Sequence, residues 1–280
     1  MRLALIAAAR TAGDRWVTAE QRGGRLFSQP APENPGQRSL HDLRPDIDEP
    51  SDFEWDQRTR GAASSGPRVN SHFGDVKEPL VDFIRGSAAV VGCVAWLTDL
   101  EVLDEIAKID GALVVQKEDF LRPDLGTKGD DWKGRLRQRY DSIDNPWMRW
   151  WFPEPLRSMS TLRLSGIDGV RCVGNHNSER KAASPRMHHK FLVRLRPTIV
   201  SGDVVGGLEI ADSITLEAES VWTGSFNFTR NAGFSFENAV VIHDAAIAHS
   251  YFEEFSRVAS LSEPLDWTSR WVEPEWRLGT

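Results

Sequence analysis

The chain has 280 residues, 40% of them hydrophobic and 27% charged, with a formal net charge of −7. That length buries a sizeable core and the mixture is ordinary for a globular protein, while the acidic balance excludes a general nucleic-acid coat. With only Cys93 and Cys172, each among apolar neighbours, neither a disulfide framework nor a cysteine-based zinc site is expected.

Met1–Ala9 (MRLALIAAA) has an apolar stretch at the short limit for a secretory signal, with Arg10 directly after it. No run approaches the ~18 apolar residues of a membrane span, so a cytoplasmic chain without a membrane partner is expected. Residues 1–70 read as a loop-rich arm. Gln29–Pro67 is crowded with Pro, Gly, Ser and acids, and Trp16 and Trp55 are its expected anchor points.

Periodic structure starts at Ser71. Pro79 suits the first turn of a helix whose face is Leu80, Val81, Phe83 and Ile84, closed by Gly86-Ser87. Ala88–Trp96 (AAVVGCVAW) is nearly continuous apolar sequence, the pattern of a strand covered on both faces. Thr98-x-x-Glu101 reads as a capping box opening a helix striped by Val102, Leu103 and Ile106, and Gly111–Val115 as the next strand. Strand, helix and strand with tight connections predict a parallel pair joined by a right-handed crossover.

Residues 117–165 interrupt that rhythm as a Trp- and Arg-rich insertion. Trp132–Tyr140 carries Arg135, Arg137 and Arg139, and Trp147–Phe152 is a tryptophan cluster. From Lys133 to Arg196 there are 14 Lys and Arg against 5 Asp and Glu. The block reads either as a solvated face or as the footprint of a polyanion.

Gly169–Val173 reads as a strand, and His176–Ser184 as a polar loop. Then come Arg186, Met187-His188-His189-Lys190 and the apolar run Phe191–Val193. Pro197–Asp212 is a Gly-rich acidic loop, and Ile214–Trp222 a strand ending in Gly224-Ser225-Phe226-Asn227-Phe228-Thr229. Phe236-Glu237-Asn238 leads into Ala239–Ile242, and Asp244 opens a final helix. Residues 261–280 read as an arm lying on this chain or on a second copy, with residues 71–260 as the main domain.

His188-x-Lys190, then Gly224-Ser225-x-Asn227-x-Thr229 and Glu237-Asn238, resembles the active-site signature of the phospholipase D superfamily. The match is nearest to its small bacterial endonuclease branch, which carries one motif per chain. The strong part spans residues 185–244, with a weaker echo from His72 to Gln116. The resemblance implies an α/β sandwich whose central sheet is mixed, largely parallel and flanked by helices. It also implies a metal-independent phosphodiesterase without a cofactor, acting on nucleic acid (DNA before RNA).

By that resemblance His188 is the nucleophile, forming a phosphohistidine intermediate. Lys190 brings its ammonium to a phosphate oxygen, Asn227 donates its amide hydrogens to the same oxygens, Glu237 orients the histidine, and Ser225 and Thr229 either donate hydroxyls or cap the turn. Arg186 and the three insertion arginines are the expected substrate contacts. His189 should face away from His188, and His176, His243 and His249 read as structural. One departure stands out. The family pattern is His-x-Lys-x4-Asp, and the last position here is Leu195, so Asp203 or Asp212 substitutes or the role is absent.

A single motif supplies one histidine where the chemistry uses two. The resemblance therefore implies a homodimer joining two copies of His188 over one phosphate. Two other functions fit the same residues: a lipid-acting phospholipase or phosphatidyltransferase, and a nucleic-acid-binding module with a decayed site.

Overall fold

The computed structural model describes residues 27–28, 44–45, 60–63, 68–118, 121, 131–143, 159–161, 168–176, 186–200, 204–205, 208–209, 213–267 and 276–278. The chain divides at Arg58/Thr59 into two units. In the first, strands β1 (Phe27–Ser28) and β2 (Arg44–Pro45) pair antiparallel. Trp16, Trp55, the tryptophan cluster at 147–152, Asp203 and Asp212 lie outside the described residues.

The second unit is built on an eight-stranded sheet in the order β3-β4-β13-β12-β9-β5-β6-β8. Its strands are β3 (Arg60–Ala63), β4 (Arg68–Phe73), β5 (Ala89–Val94), β6 (Asp110–Gln116), β8 (Val170–Val173), β9 (Lys190–Val200), β12 (Ser213–Gly224) and β13 (Asn238–His243). The sheet is mixed, as expected, but not largely parallel. β5–β6 and β6–β8 are parallel, and the other five pairings are antiparallel. No described α-helix separates β9 from β12, and only the 3-10 turn Asn231–Phe234 separates β12 from β13; strands joined by such short returns run antiparallel. β3 and β4 extend the main unit into a stretch expected to be arm.

Two apolar layers sandwich the sheet. Alternate residues of β9 divide between them: Leu192 joins one, and Phe191, Val193 and Leu195 the other. Helix α1 (Lys77–Arg85) buries Leu80, Val81, Phe83 and Ile84 in the first layer, each worth about 1.5–3 kcal/mol. Pro79 sits in the first turn, where its missing N–H leaves no bond unmade. The last turn is closed from the sheet, because Arg194 Nη2 donates to the Phe83 carbonyl at 2.7 Å and Nε to Ser87 Oγ at 3.1 Å.

Helix α2 (Leu100–Ile106) is capped by Asp99, whose carboxylate accepts from the amides of Glu101 and Val102, rather than by Thr98. Glu101 pairs with Lys77 at 2.7 Å instead of closing a capping box. The second layer is covered by α4 (Ala245–Ser260), capped by Asp244 and burying Ala248, Phe252, Phe255 and Ala259. Ile247, in the first turn of this helix, is 41% exposed.

Part of the insertion forms helix α3 (Trp132–Asp141), which buries Leu136 and Tyr140. The segment after α4 lies on this chain, the first of the two expected surfaces. Glu263 bridges Cys172 of β8, Leu265 and Trp267 are buried, and β14 (Trp276–Leu278) pairs antiparallel with β7 (Met159–Thr161). The remaining short strands, β10 (Val204–Val205) and β11 (Leu208–Glu209), pair with each other. Among the described residues no helix is long and apolar enough to cross a membrane.

Candidate active site

The site forms where β9 begins, β12 ends and β13 begins. Gly224, opposite Ala239 in the β12–β13 ladder, is required at this corner: a Cβ there would lie 2.2 Å from the Asn238 carbonyl. Beyond it the chain bends at Ser225 and turns tightly where the Thr229 amide donates to the Asn227 carbonyl at 2.7 Å, with buried and more exposed residues alternating. Phe226 and Phe228 are buried in the core, which turns Ser225, Asn227 and Thr229 the other way. The loop is clamped to the end of β5 by a parallel bridge between Phe228 and Leu97. The amides of Thr98 and Asp99 both donate to the Phe228 carbonyl, at 2.8 and 2.9 Å.

His188 and Lys190 lie on one side of the extended chain, as their spacing requires, and they touch. Lys190 Nζ is 3.0 Å from each ring nitrogen of His188 and donates to the His188 carbonyl at 2.9 Å. An ammonium donates only to a nitrogen lone pair, so this contact holds the imidazole neutral. Partial burial, then the charges of Lys190, Arg186 and His189, keep the His188 pKa below its ordinary value.

Lys190 is 8% exposed and makes no ion pair with a carboxylate among the described residues. Burial lowers its pKa, opposed by the charge of Glu237. His189 faces the other layer, with its ring against Phe191 and Nε2 3.2 Å from Glu254.

The other motif residues form a tight corner. Ser225 Oγ donates to Glu237 Oε2 and accepts from the Asn238 amide at 3.0 Å, while the Ser225 amide donates to Asn238 Oδ1 at 3.1 Å. Glu237 thus holds Ser225, whereas the ring nitrogens of His188, its expected partner, face Lys190. Thr229 takes the capping alternative, with Oγ1 accepting from the Ala232 amide at 3.2 Å. Asn227 Oδ1 is buried without a hydrogen-bond partner, a group whose desolvation is left uncompensated until something enters the site.

Leu195 is 1% exposed and points into the α4 layer, on the opposite face from Lys190. An Asp there would be buried in apolar surroundings, remote from the ammonium. Of the expected substrate contacts, Arg186 lies beside the site, with its guanidinium 5.9 Å from the Trp96 ring centroid. The insertion arginines carry other duties: Arg137 pairs with Asp141 at 3.2 Å and Arg139 with Asp104 at 2.9 Å. Arg135 belongs to the same helix.

The sequence did not point to Trp96, whose ring stands edge-on to His188 with centroids 5.3 Å apart. Its only sequence signal was its place at the end of an apolar strand. A separate groove of about 400 Å³, lined by Asn70, His72, Asp82, Arg194 and His243 among others, shares no residue with this site. Among the described residues no group of three His, Cys, Asp or Glu is placed to hold a metal ion.

No family model matches the sequence. The chain is 27% identical over 208 residues to the uncharacterized protein L381 of Acanthamoeba polyphaga mimivirus, covering 72% of this chain and 68% of that one. Among solved structures it is similar to Nuc of Salmonella typhimurium, described as a phospholipase D family member. There the identity is 15%, the coverage 75% of this chain and 98% of that one, and the TM-score 0.36. It is also similar to NucT of Helicobacter pylori, with 10% identity, 70% and 99% coverage and a TM-score of 0.42.

Proposed function

We propose that this chain is a phosphodiesterase of the phospholipase D type, a nuclease that cleaves a phosphodiester through a phosphohistidine on His188. The observation that carries the reading is Lys190. Among the described residues this nearly buried ammonium has no carboxylate partner, which costs stability, and it rests against the imidazole of His188, which in its neutral form is a competent nucleophile. Both groups suit a phosphate, whose oxygens would take the ammonium and so release the imidazole lone pair. Asn227, with its unpaired carboxamide oxygen, adds a polar side chain at the edge of the same site.

In the proposed reaction a nitrogen of His188 bonds to phosphorus as the bond from phosphorus to the leaving oxygen breaks. The partner subunit's His188, free to take a proton once the phosphate oxygens draw Lys190 off its ring, gives that proton to the leaving oxygen. Water then attacks phosphorus, passing a proton to the now neutral imidazole of the partner. The P–N bond breaks and His188 is regenerated. One water is consumed, and a diester becomes a monoester and an alcohol. Two-fold association brings the copies together, each giving one His188, one Lys190 and one Asn227. Ser225 and Glu237 set the loop, and Glu237 also balances Lys190 through space. No step calls for a metal, since the two ammonium groups carry the positive charge.

The basic stretch around α3 and Arg186 favours nucleic acid over lipid. The test is incubation with single- and double-stranded DNA and RNA in EDTA, beside phosphatidylcholine vesicles. Cleavage of nucleic acid, falling more than about 10⁴-fold in His188→Ala, is the expected result. Headgroup release from vesicles with intact nucleic acid would replace this reading with the lipid one. Activity unchanged in His188→Ala would remove both.

A further inference from the structure

Trp96 and Glu118 have no part in the motif, yet they form the wall against which the histidine stands. Trp96 follows the end of β5 and Glu118 the end of β6, parallel neighbours that deliver both side chains to one corner. The indole Nε1 donates to Glu118 Oε1 at 3.0 Å, which fixes the rotation of the ring. Arg186 reaches the same carboxylate at 3.9 Å while its guanidinium lies 5.9 Å from the indole centroid. Lys190 Nζ is 5.7 Å from that centroid, and the His188 ring meets the indole at 81°.

The backbone before β9 is pinned from the same two strands. Ala95 N–H donates to the His189 carbonyl at 2.8 Å, and Met187 N–H to Gln116 Oε1 at 2.8 Å. With the main chain fixed, the freedom left to His188 is in its side-chain torsions, and the last of these is broad for an imidazole. Lys190 engages the ring through its nitrogens; the indole limits where the ring plane can turn.

Resting on the nuclease reading above, we infer that Trp96, oriented by Glu118, is the positioning residue for His188 and gathers Lys190 and Arg186 around it. Two effects follow from one indole. The ring restricts His188 to a narrow set of orientations, so that little alignment remains to be made when a phosphate arrives. Its π face also attracts the two cations, and those cations oppose protonation of the imidazole. The charges that act on His188 are those of Lys190 and Arg186 beside it and of His189 from the opposite face, with Glu237 acting on Lys190 and Glu118 on Arg186. A nucleophile must be both aimed and unprotonated, and removal of the indole would relax both conditions.

The test compares Trp96→Leu, Trp96→Phe, Glu118→Gln and Glu118→Leu with the wild type in full-length protein. Trp96→Leu should lower kcat about 10²-fold with KM little changed. It should also move the acid limb of the kcat/KM profile upward, toward the ordinary histidine range. Trp96→Phe keeps an aromatic face but loses the N–H, so its loss should be smaller. Glu118→Gln keeps an acceptor for the indole and should rescue what Glu118→Leu loses.

A second readout needs no substrate: titration of the His188 ring by NMR should give a higher pKa in Trp96→Leu and in Trp96→Phe than in the wild type. A folded Trp96→Leu protein with wild-type kcat and an unmoved titration would overturn the inference. If Trp96→Leu does not fold, an unmoved titration in Trp96→Phe together with identical kcat in both Glu118 variants overturns it equally. Should the wild type cleave no nucleic acid, the nuclease reading fails, and the titration alone still decides whether Trp96 governs the state of His188.

Discussion

Among the described residues two lysines are buried, and their surroundings differ. Lys117, just past β6, is fully buried, and its ammonium pairs with Glu263 and lies 4.8 Å from the Trp267 ring centroid. Lys190 is 8% exposed and also lies near an indole, that of Trp96, but it meets a neutral histidine where Lys117 meets a carboxylate. A paired charge in a protein interior is a fastener, here tying the segment after α4 to β6 and β8. An unpaired one is an expense, retained where an anion from outside completes it. The same side chain, buried in both places, thus marks an anchor in one corner and a site in the other.

Replacing each lysine with methionine tests that contrast. Lys190→Met should lower kcat by roughly 10²–10³-fold, the size expected when one charge on a developing oxyanion is removed. Its melting temperature should hold or rise, because the substitution relieves a desolvated cation. Lys117→Met should do the reverse. It strands the Glu263 carboxylate and should cost about 3 kcal/mol of stability, read by denaturant unfolding, with activity per folded molecule unchanged. A large stability loss in Lys190→Met and none in Lys117→Met would invert the contrast.

A double variant sharpens it. Lys117→Met combined with Glu263→Leu removes both charges, and it should recover most of what Lys117→Met lost, because an apolar pair of similar volume replaces a buried ion pair at little cost. Failure to recover would mean that the pair contributes more than its own compensation.

The smallest expected effect is in pH. The folded-state pKa of His188 lies below its ordinary value of 6.5, chiefly through burial and then through Lys190. The unfolded state therefore binds more protons as pH falls through that window, so native stability declines there, and it is regained above the ordinary value. The nucleophile is lost only when the ring protonates, so the acid limb of kcat/KM should lie below the ordinary histidine range. In Lys190→Met the limb should move up. A limb at or above 6.5 in the wild type would contradict the neutral-histidine arrangement.

Much of this was legible along the chain and little of it across. The apolar runs at 88–96 and 111–115 announced buried strands, because a short, continuous apolar run between turn signals suits a strand covered on both faces. The His188–Lys190 contact followed from the two-residue period of extended chain, as did the turning of His189 to the other face. The same period disposes of Leu195, which an odd separation from Lys190 carries into the opposite layer.

The βαβ rhythm of residues 88–115 showed the parallel pair β5–β6, whereas the largely parallel sheet implied by the resemblance gave way to antiparallel pairing where strands return directly. β3 and β4 were missed in part because Gly, Ser and Pro hid them. Trp96 and Glu118 escaped notice because strand pairing alone brings them to the histidine. Glu237 had an expected partner, but the corner geometry placed Ser225 nearer.

The central claim is a bond between His188 and phosphorus. Wild-type protein mixed with a nucleic-acid substrate and quenched in alkali, where phosphohistidine survives, can be digested and read by mass spectrometry. The account predicts an acid-labile phosphoryl adduct on the peptide that contains His188, appearing faster than steady-state turnover and absent from His188→Ala. Rapid cleavage with that peptide unmodified, or an adduct on a different residue, would contradict it.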